Sequence, residues 1–166
     1  MSSHAPETAV DYIAVTRDSY DSLGYPPYRW VENDSPPLLA TLGKPLSQCT
    51  VGLIASGGVY RAGQIAFHYK DDDSYRVIST AIDTAELRTT HFAYDLTDAR
   101  RDINVVFPLE TLRRAVADGV IGALTPEAYT FMGGIYSSRK VSDGLAPALR
   151  DRYLDQDVDA VLLVPV

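Results

Sequence analysis

Asp157-Val158-Asp159-Ala160-Val161-Leu162-Leu163-Val164-Pro165-Val166 is the stretch whose reading decides the fold. An acidic turn leads into a dense run of Ala, Val and Leu, the pattern of a strand covered on both faces of a parallel sheet. Such a strand needs parallel neighbours and crossing helices, and the chain before it supplies both. Thr50-Val51-Gly52-Leu53-Ile54-Ala55 reads as the first core strand. Leu109 to Asp118 reads as a helix with Leu109, Leu112, Ala115 and Val116 on one face and Gly119 as its stop. Val120 to Leu124 returns as an apolar segment. Ser142 is expected to cap a last helix running to about Gln156, with Leu145, Leu149 and Tyr153 four apart on the buried face. Strands interleaved with helices make an α/β chain with a largely parallel sheet and flanking helices, Rossmann- or flavodoxin-like, incomplete at its C-terminal end.

Two regions are expected. Residues 1–45 read as a helical arm packed on the main domain, and residues 46–166 as the α/β domain itself. The arm carries a short amphipathic helix over 7–23, ending at Gly24 before Pro26-Pro27, and a second from about Pro37 to Leu42 closed by Gly43. In the main domain, Tyr75 to Ser79 alternates like an edge strand, and Asn104 to Pro108 reads as a short apolar strand. Thr125-Pro126-Glu127 reads as the start of a helical turn, and Phe131 to Gly134 as a glycine loop. Lys70-Asp71-Asp72-Asp73-Ser74 is expected to be a solvated turn, because the glycine and closing Glu of a calcium loop are missing.

Composition narrows the function classes. The 166 residues are enough for one substantial core, and 46% hydrophobic with 22% charged residues is ordinary for a globular chain. No apolar run approaches the roughly 20 residues needed to span a bilayer, so no membrane partner is expected. Met1 to Pro6 lacks the basic and apolar regions of a secretory signal. A net charge of −7 argues against nucleic acid as the main partner. Cys49 is the only cysteine, which removes any intrachain disulfide or CxxC motif. A cytoplasmic location is the default expectation.

Two polar stretches carry the candidate chemistry. Ser56-Gly57-Gly58 follows the first strand at once, where small residues let backbone N–H groups approach an anion; a tight structural turn explains the same residues. The GxGxxG dinucleotide spacing is absent. His91-Phe92-Ala93-Tyr94-Asp95 places a histidine four residues before a carboxylate, so His91 is suited to proton transfer with Asp95 as its orienter, or to a structural hydrogen bond. Thr97 is expected to cap a short helix over Asp98 to Arg101, setting Asp95 and Asp102 near its ends. One His and one Asp are too few for a metal site, and none is expected. The eleven tyrosines include Tyr25, Tyr28, Tyr60, Tyr69 and Tyr75 in loop-like segments, read as rim residues or as the wall of a small-molecule site.

Taken together, Tyr28-Arg29-Trp30, Ser56-Gly57-Gly58-Val59, His91-Phe92-Ala93-Tyr94-Asp95 and Asp102-Ile103-Asn104-Val105-Val106-Phe107-Pro108-Leu109 resemble the selenoprotein B family of glycine, sarcosine and betaine reductases, with the related D-proline reductase subunit. Gly122-Ala123-Leu124, Phe131-Met132-Gly133 and Asp157 to Leu163 extend the resemblance over most of the chain from Tyr28. The resemblance implies a subunit of a multisubunit reductive complex that cleaves a C–N bond of an amino acid or N-methylated amine. It implies other reductase subunits as partners, one of them carrying a pyruvoyl group that holds the substrate amine as a Schiff base. It also implies a selenocysteine, or a cysteine in its place, just after the strand matching Val158 to Val164. A selenol is largely ionised near neutral pH, whereas a free thiol with a pKa of about 8.5 is mostly not.

No such residue is present through Val166, and Cys49, at the start of a strand, is no substitute. The expectation is therefore that the codon after Val166 is UGA read as stop. On this reading His91, Tyr94 and Asp95 are the candidate catalytic residues, His91 foremost as proton donor to the leaving amine. Ser56, Gly57, Gly58, Asp102, Asn104, Met132 and Gly133 are the candidate substrate-binding residues, with Ser56 and Gly57 near a substrate carboxylate. Two other readings stay open: a non-catalytic truncated paralogue that binds an anionic small molecule or a partner subunit, and a metal-dependent lyase using His68, His91 and acidic residues.

Overall fold

The computed structural model describes residues 11–27 and 31–166, so Tyr28, Arg29 and Trp30 and the first residues of the expected helix from residue 7 lie outside the described residues. The described chain divides into two units, Met1–Leu38 and Leu39–Val166. The first holds α1 (Tyr12–Ser22), which starts where the Asp11 carboxylate accepts the Ala14 N–H at 3.0 Å and stops before Gly24 at φ +71°. The second holds, in chain order, β1 (Thr50–Ala55), β2 (Val59–Arg61), β3 (Arg76–Ser79), β4 (Leu87–Thr89), α2 (Thr97–Arg101) and α3 (Leu109–Ala117). They are followed by β5 (Ala123–Leu124), β6 (Glu127–Thr130), α4 (Ser138–Lys140), α5 (Ala146–Leu154) and β7 (Ala160–Val164).

β1 is the axis of the sheet. β7 pairs parallel along one of its edges, from Val51↔Ala160 to Ala55↔Val164. β5 and then β6 pair parallel along the other, and β3 closes that flank antiparallel to β6. The α/β class with a mostly parallel sheet is thus as expected. Residues of β1 alternate between two cores. Leu53 and Ala55 pack with Ile78, Phe107 and Leu109, while Ile54 packs with Tyr129, Leu149 and Tyr153.

The break between β5 and β6 has a side-chain remedy. Val51 faces Leu124 and Ile54 faces Tyr129, so two extra residues lie on the partner strand. These are Thr125 and Pro126, and Pro126 has no N–H to give. Thr125 N–H still reaches Val51 O, and Phe131 N–H reaches Ala55 O, with Leu53 between them beside the two extra residues. The hydroxyl of Tyr153, from α5, fills the gap: it accepts the Leu53 N–H at 2.8 Å and donates to Leu53 O at 2.6 Å.

Several expectations need correction. The terminal run forms β7, but at the edge of the sheet: Leu162 is 39% and Leu163 64% exposed, so it is not covered on both faces. Its acidic entrance is structural, since the Asp159 carboxylate accepts the Thr50 N–H at 2.7 Å and pairs with Lys44 at 2.8 Å. Thr125-Pro126-Glu127 opens strand β6, not a helix, because Glu127–Thr130 finds strands on both sides. Asn104 to Pro108 is not a strand: the Asp102 carboxylate accepts the Asn104 N–H at 2.9 Å and turns Ile103–Val105 into a 3-10 turn, burying Val106 and Phe107 beneath it.

The last helical run is capped by Ser137, five residues before Ser142, and passes through a π turn at Val141–Leu145 into α5. Residues 37–42 form no helix; a 3-10 turn lies instead at Leu46–Gln48. The short β2–β4 ribbon was not expected, since three-residue strands carry no readable periodicity. Nor is the aspartate turn merely solvated. Asp71, at φ +54°, accepts the Tyr136 N–H at 2.8 Å and the Ser137 N–H at 3.2 Å, and Lys140 lies against it, tying this turn to the start of α4.

Candidate functional site

Open α/β sheets place ligands beyond the carboxyl ends of their parallel strands. Here four segments meet at that end of β1: the turn Ser56–Gly58, the loop after β6, the residues after β7 and the loop from Thr89 to Asp95. Their meeting is built almost entirely from hydrogen bonds to the turn. Gly133 N–H donates to Ser56 O at 2.9 Å and Gly58 N–H to Phe131 O at 2.9 Å, bridging Gly57 to Met132. Val166 N–H donates to Ser56 Oγ at 2.9 Å, and Ser56 N–H to Val164 O at 3.0 Å. From the third side, Thr90 N–H reaches Gly58 O at 3.0 Å, and the hydroxyls of Thr89 and Tyr94 both donate to Gly57 O at 2.8 Å. Thr130 Oγ1 accepts the Val59 N–H beneath.

The glycines are required by this crowding. Gly58 sits at φ +67°, and a Cβ there would run into Thr90 O. A Cβ at Gly57 would stand 2.9 Å from Val106 Cβ and 3.4 Å from Val166 Cγ2, which places both valines against the turn. Phe92 lies over Gly134, so the His91 loop leans on the loop after β6. Two of the turn's N–H groups are already engaged, those of Ser56 and Gly58, which donate to Val164 O and Phe131 O. The polar group that Ser56 presents is its hydroxyl.

His91 is the distinctive group. Its Nδ1 accepts the Ala93 N–H at 3.0 Å, which assigns the proton of the neutral ring to Nε2. Nε2 is buried and meets no partner among the described residues. Burial also holds the ring below the ordinary histidine value of 6.5, favouring the neutral form. The result is a neutral N–H donor awaiting an acceptor. The ring lies 4.8 Å from that of Tyr94, whose hydroxyl burial pushes up in pKa and keeps protonated.

Asp95 does not orient His91. Its carboxylate accepts both the N–H and the hydroxyl of Thr97, at 2.9 and 2.7 Å, and the Thr97 hydroxyl above all holds it below the usual carboxylate range. Asp95, one residue before the N-cap Leu96, therefore receives the first N–H of α2, and Thr97 is not its cap. Asp102 and Asn104 are also structural: Asp102 accepts from the Asn104 amide at 2.8 Å, and Asn104 Oδ1 accepts the Glu110 N–H at 2.9 Å at the start of α3. They line a separate polar cavity of about 670 Å³ with Tyr60, Arg88 and Arg100. The structure thus brings together Ser56, Gly57, Gly58, His91, Tyr94, Met132 and Gly133, and leaves Asp95, Asp102 and Asn104 as caps. Thr89, Thr130, Val106 and Phe92 complete the site without having been expected, and a buried Thr closing a short strand is a faint signal. Among the described residues, no group of three or more His, Cys, Asp or Glu is placed to hold a metal ion. No described helix is long and apolar enough to cross a membrane.

The family model described as glycine/sarcosine/betaine reductase selenoprotein B matches residues 35–166. The chain is 34% identical over 128 residues to D-proline reductase subunit gamma of Acetoanaerobium sticklandii, covering 77% of this chain and 53% of that protein. It is 30% identical over 130 residues to glycine reductase complex component B subunit gamma of Carboxydothermus hydrogenoformans, covering 72% of this chain and 28% of that protein. The chain thus spans about half the length of the first relative and under a third of the second. No solved structure matches it.

Proposed function

The chain belongs to the glycine/sarcosine/betaine reductase selenoprotein B family, and from that premise we propose that it serves in a reductive complex that cleaves the C–N bond of an amino acid or N-methylated amine. The observation that carries this reading is the convergence of Ser56, His91, Tyr94 and Val166 on one turn at the carboxyl end of the parallel strands. Ser56 Oγ holds the N–H of Val166 and so fixes where the chain emerges from β7. A selenol or thiol beyond Val166 would supply the nucleophile, and a pyruvoyl carbonyl on a partner subunit would hold the substrate amine.

Within this chain, the roles follow from protonation. His91, neutral with its proton on Nε2, offers a hydrogen bond to an oxygen or nitrogen of the bound substrate; to protonate a leaving amine the ring would first take up a proton and then return from imidazolium to the neutral form. Tyr94 and Thr89 hold the turn by its Gly57 carbonyl and act as positioning residues. Met132 and Gly133 form the floor beside Ser56, and Asp95 acts only by fixing the loop through Thr97.

The test has two arms. Reading the gene past the codon for Val166 should find UGA followed by an open frame; UAA or UAG would overturn the selenol. The protein purified with its accompanying subunits, supplied with a dithiol, should release the amine from glycine, sarcosine or betaine, or open the ring of D-proline to a linear amino acid. No C–N cleavage of any of the four would overturn the reductase reading. The non-catalytic alternative, a module that binds a partner subunit, draws on the exposed edge of β7 and would then lead.

A further inference from the structure

We propose that the polar cavity between β4 and α2 binds the phosphate group of a small molecule, at the two roots of the loop that carries His91. The inference goes beyond the reductase reading, and binding alone tests it, without turnover.

Three elements build the cavity. Tyr60 of β2 stands directly opposite Arg88 of β4 in the antiparallel ribbon, so the two side chains lie on one face. Arg100 and Arg101 of α2 and the 3-10 turn at Ile103–Val105 complete the wall around about 670 Å³. That volume falls within the roughly 300–1,000 Å³ of small-molecule sites.

In a chain of net charge −7, this wall gathers three guanidinium groups. Two carboxylates share it, and both are committed to the backbone of short turns. Asp83 accepts the Ala85 N–H at 2.9 Å, and Asp102 accepts the Asn104 N–H and side-chain amide at 2.9 and 2.8 Å. Arg88 is held in place: its Nη1 donates to Ala85 O at 2.8 Å and to Leu87 O at 2.7 Å, while its Nε and Nη2 meet no partner among the described residues. Arg100 has neither a hydrogen bond nor an ion pair among the described residues, only the more distant charge of Asp95. Arg101 reaches Asp98 at 3.5 Å with both side chains largely in water, a pair that contributes little. Solvation accounts for Arg101, but not for a guanidinium fixed by two carbonyls beside a cavity before any ligand arrives.

The ligand class follows from the donors. Each guanidinium carries five N–H groups in a planar fork. Three such groups offer more donors than the two oxygens of a carboxylate accept, and they match the three oxygens and nearly double charge of a phosphate monoester. The cavity exceeds a bare phosphate, which leaves space for the organic part of the ester.

Occupancy reaches the candidate site through the chain itself. Residues 90–96 join β4 to α2 and carry His91 and Tyr94. A phosphate held by Arg88 at one root and Arg100 at the other ties the two ends of that loop together. Thr89, next to Arg88 but buried, donates to Gly57 O at 2.8 Å, so the same tie steadies the turn at Ser56.

The test is an equilibrium titration of inorganic phosphate, at constant ionic strength, into the protein as its own cells produce it with its accompanying subunits. The expected result is saturable binding that Arg88→Gln and Arg100→Gln each weaken about tenfold, the loss that a charge-assisted hydrogen bond implies. Arg139→Gln, at an exposed position of α4, should leave it unchanged. Arg100 is exposed and bonds to nothing described, so its variant decides the matter even where Arg88→Gln fails to fold. Malonate, a carboxylate of similar size, should bind more weakly than phosphate. Phosphate should also slow hydrogen exchange of the amides in residues 90–96 several-fold, and lose that effect in Arg100→Gln. No saturable binding, binding indifferent to Arg100→Gln, malonate as tight as phosphate, or loop exchange unmoved by phosphate would each overturn the proposal.

Discussion

β1 and β7 are parallel neighbours of nearly the same composition, TVGLIA beside AVLLV, yet they live in different surroundings. Leu53 of β1 is 1% exposed, its N–H and C=O held by a tyrosine hydroxyl on one edge while its neighbours in β1 pair with β7 on the other. Leu163 of β7, opposite Ile54, is 64% exposed and has one edge unpaired among the described residues. An apolar run therefore specifies a strand that can be buried; whether it is buried depends on what is laid against it. The same contrast separates the two ends of the candidate site. The Ser56–Gly58 turn is held from three sides, while the flank beyond β7 is open.

Four measurements sharpen or break that contrast. The largest effect belongs to Leu53→Ala, which should lower the unfolding free energy by about 2–5 kcal/mol in urea titration, because it opens a cavity in a filled core. An effect as small as that of an exposed site would mean that β1 is not the axis of the sheet. Tyr153→Phe comes next. It strips the hydroxyl that bonds the buried N–H and C=O of Leu53 on that edge, for a loss of about 1–3 kcal/mol. A near-neutral result would mean that the β5–β6 break closes its own ladder.

Tyr94→Phe removes one of the two hydroxyls on Gly57 O and should cost about 1 kcal/mol. In the assembled complex it should lower turnover through a loosened turn, with Thr89→Val acting in the same direction. The smallest effect is Leu163→Ala, expected below about 0.5 kcal/mol in the chain alone because the side chain is already in water. If it matches Leu53→Ala, the two strands are not different after all.

His91 adds a pH dependence to the same turn. Its value in the folded protein is lowered by burial, so the unfolded chain takes up a proton first as pH falls. Its contribution is complete above the ordinary value of 6.5 and is lost as pH drops from there toward the lower folded value. His91→Gln should flatten the stability profile in that window, measured by thermal unfolding at a series of pH values. An unchanged slope would show that the ring is solvated and its Nε2 proton not held in a buried site.

Much was legible in the residues themselves. Thr50–Ala55, the helix from Leu109 with Gly119 as its stop and the terminal strand all follow from periodicity and caps, which act locally. The position of the site at the end of β1 was legible as well, since parallel strands dictate it. Its membership was less so. Asp95, Asp102 and Asn104 looked like chemistry because they are polar and close in sequence, whereas a short polar side chain beside a helix start usually satisfies backbone N–H groups first. Thr125-Pro126 looked like a helix start for a related reason, as the local signal for capping is the same whether the chain turns into a helix or out of a sheet.

The sequence by itself determined the class of fold, the order of its main strands and the small residues that let the turn at Ser56 close. These rest on backbone geometry and on interactions between residues a few positions apart. Only the tertiary structure decided that β7 is an edge among the described strands, that Tyr153 completes the ladder at Leu53 from 100 residues away, and that His91 keeps its Nε2 proton buried without a partner among the described residues. Each depends on which distant segments share a surface, and burial, ladder closure and the lowered histidine pKa exist only once those segments meet.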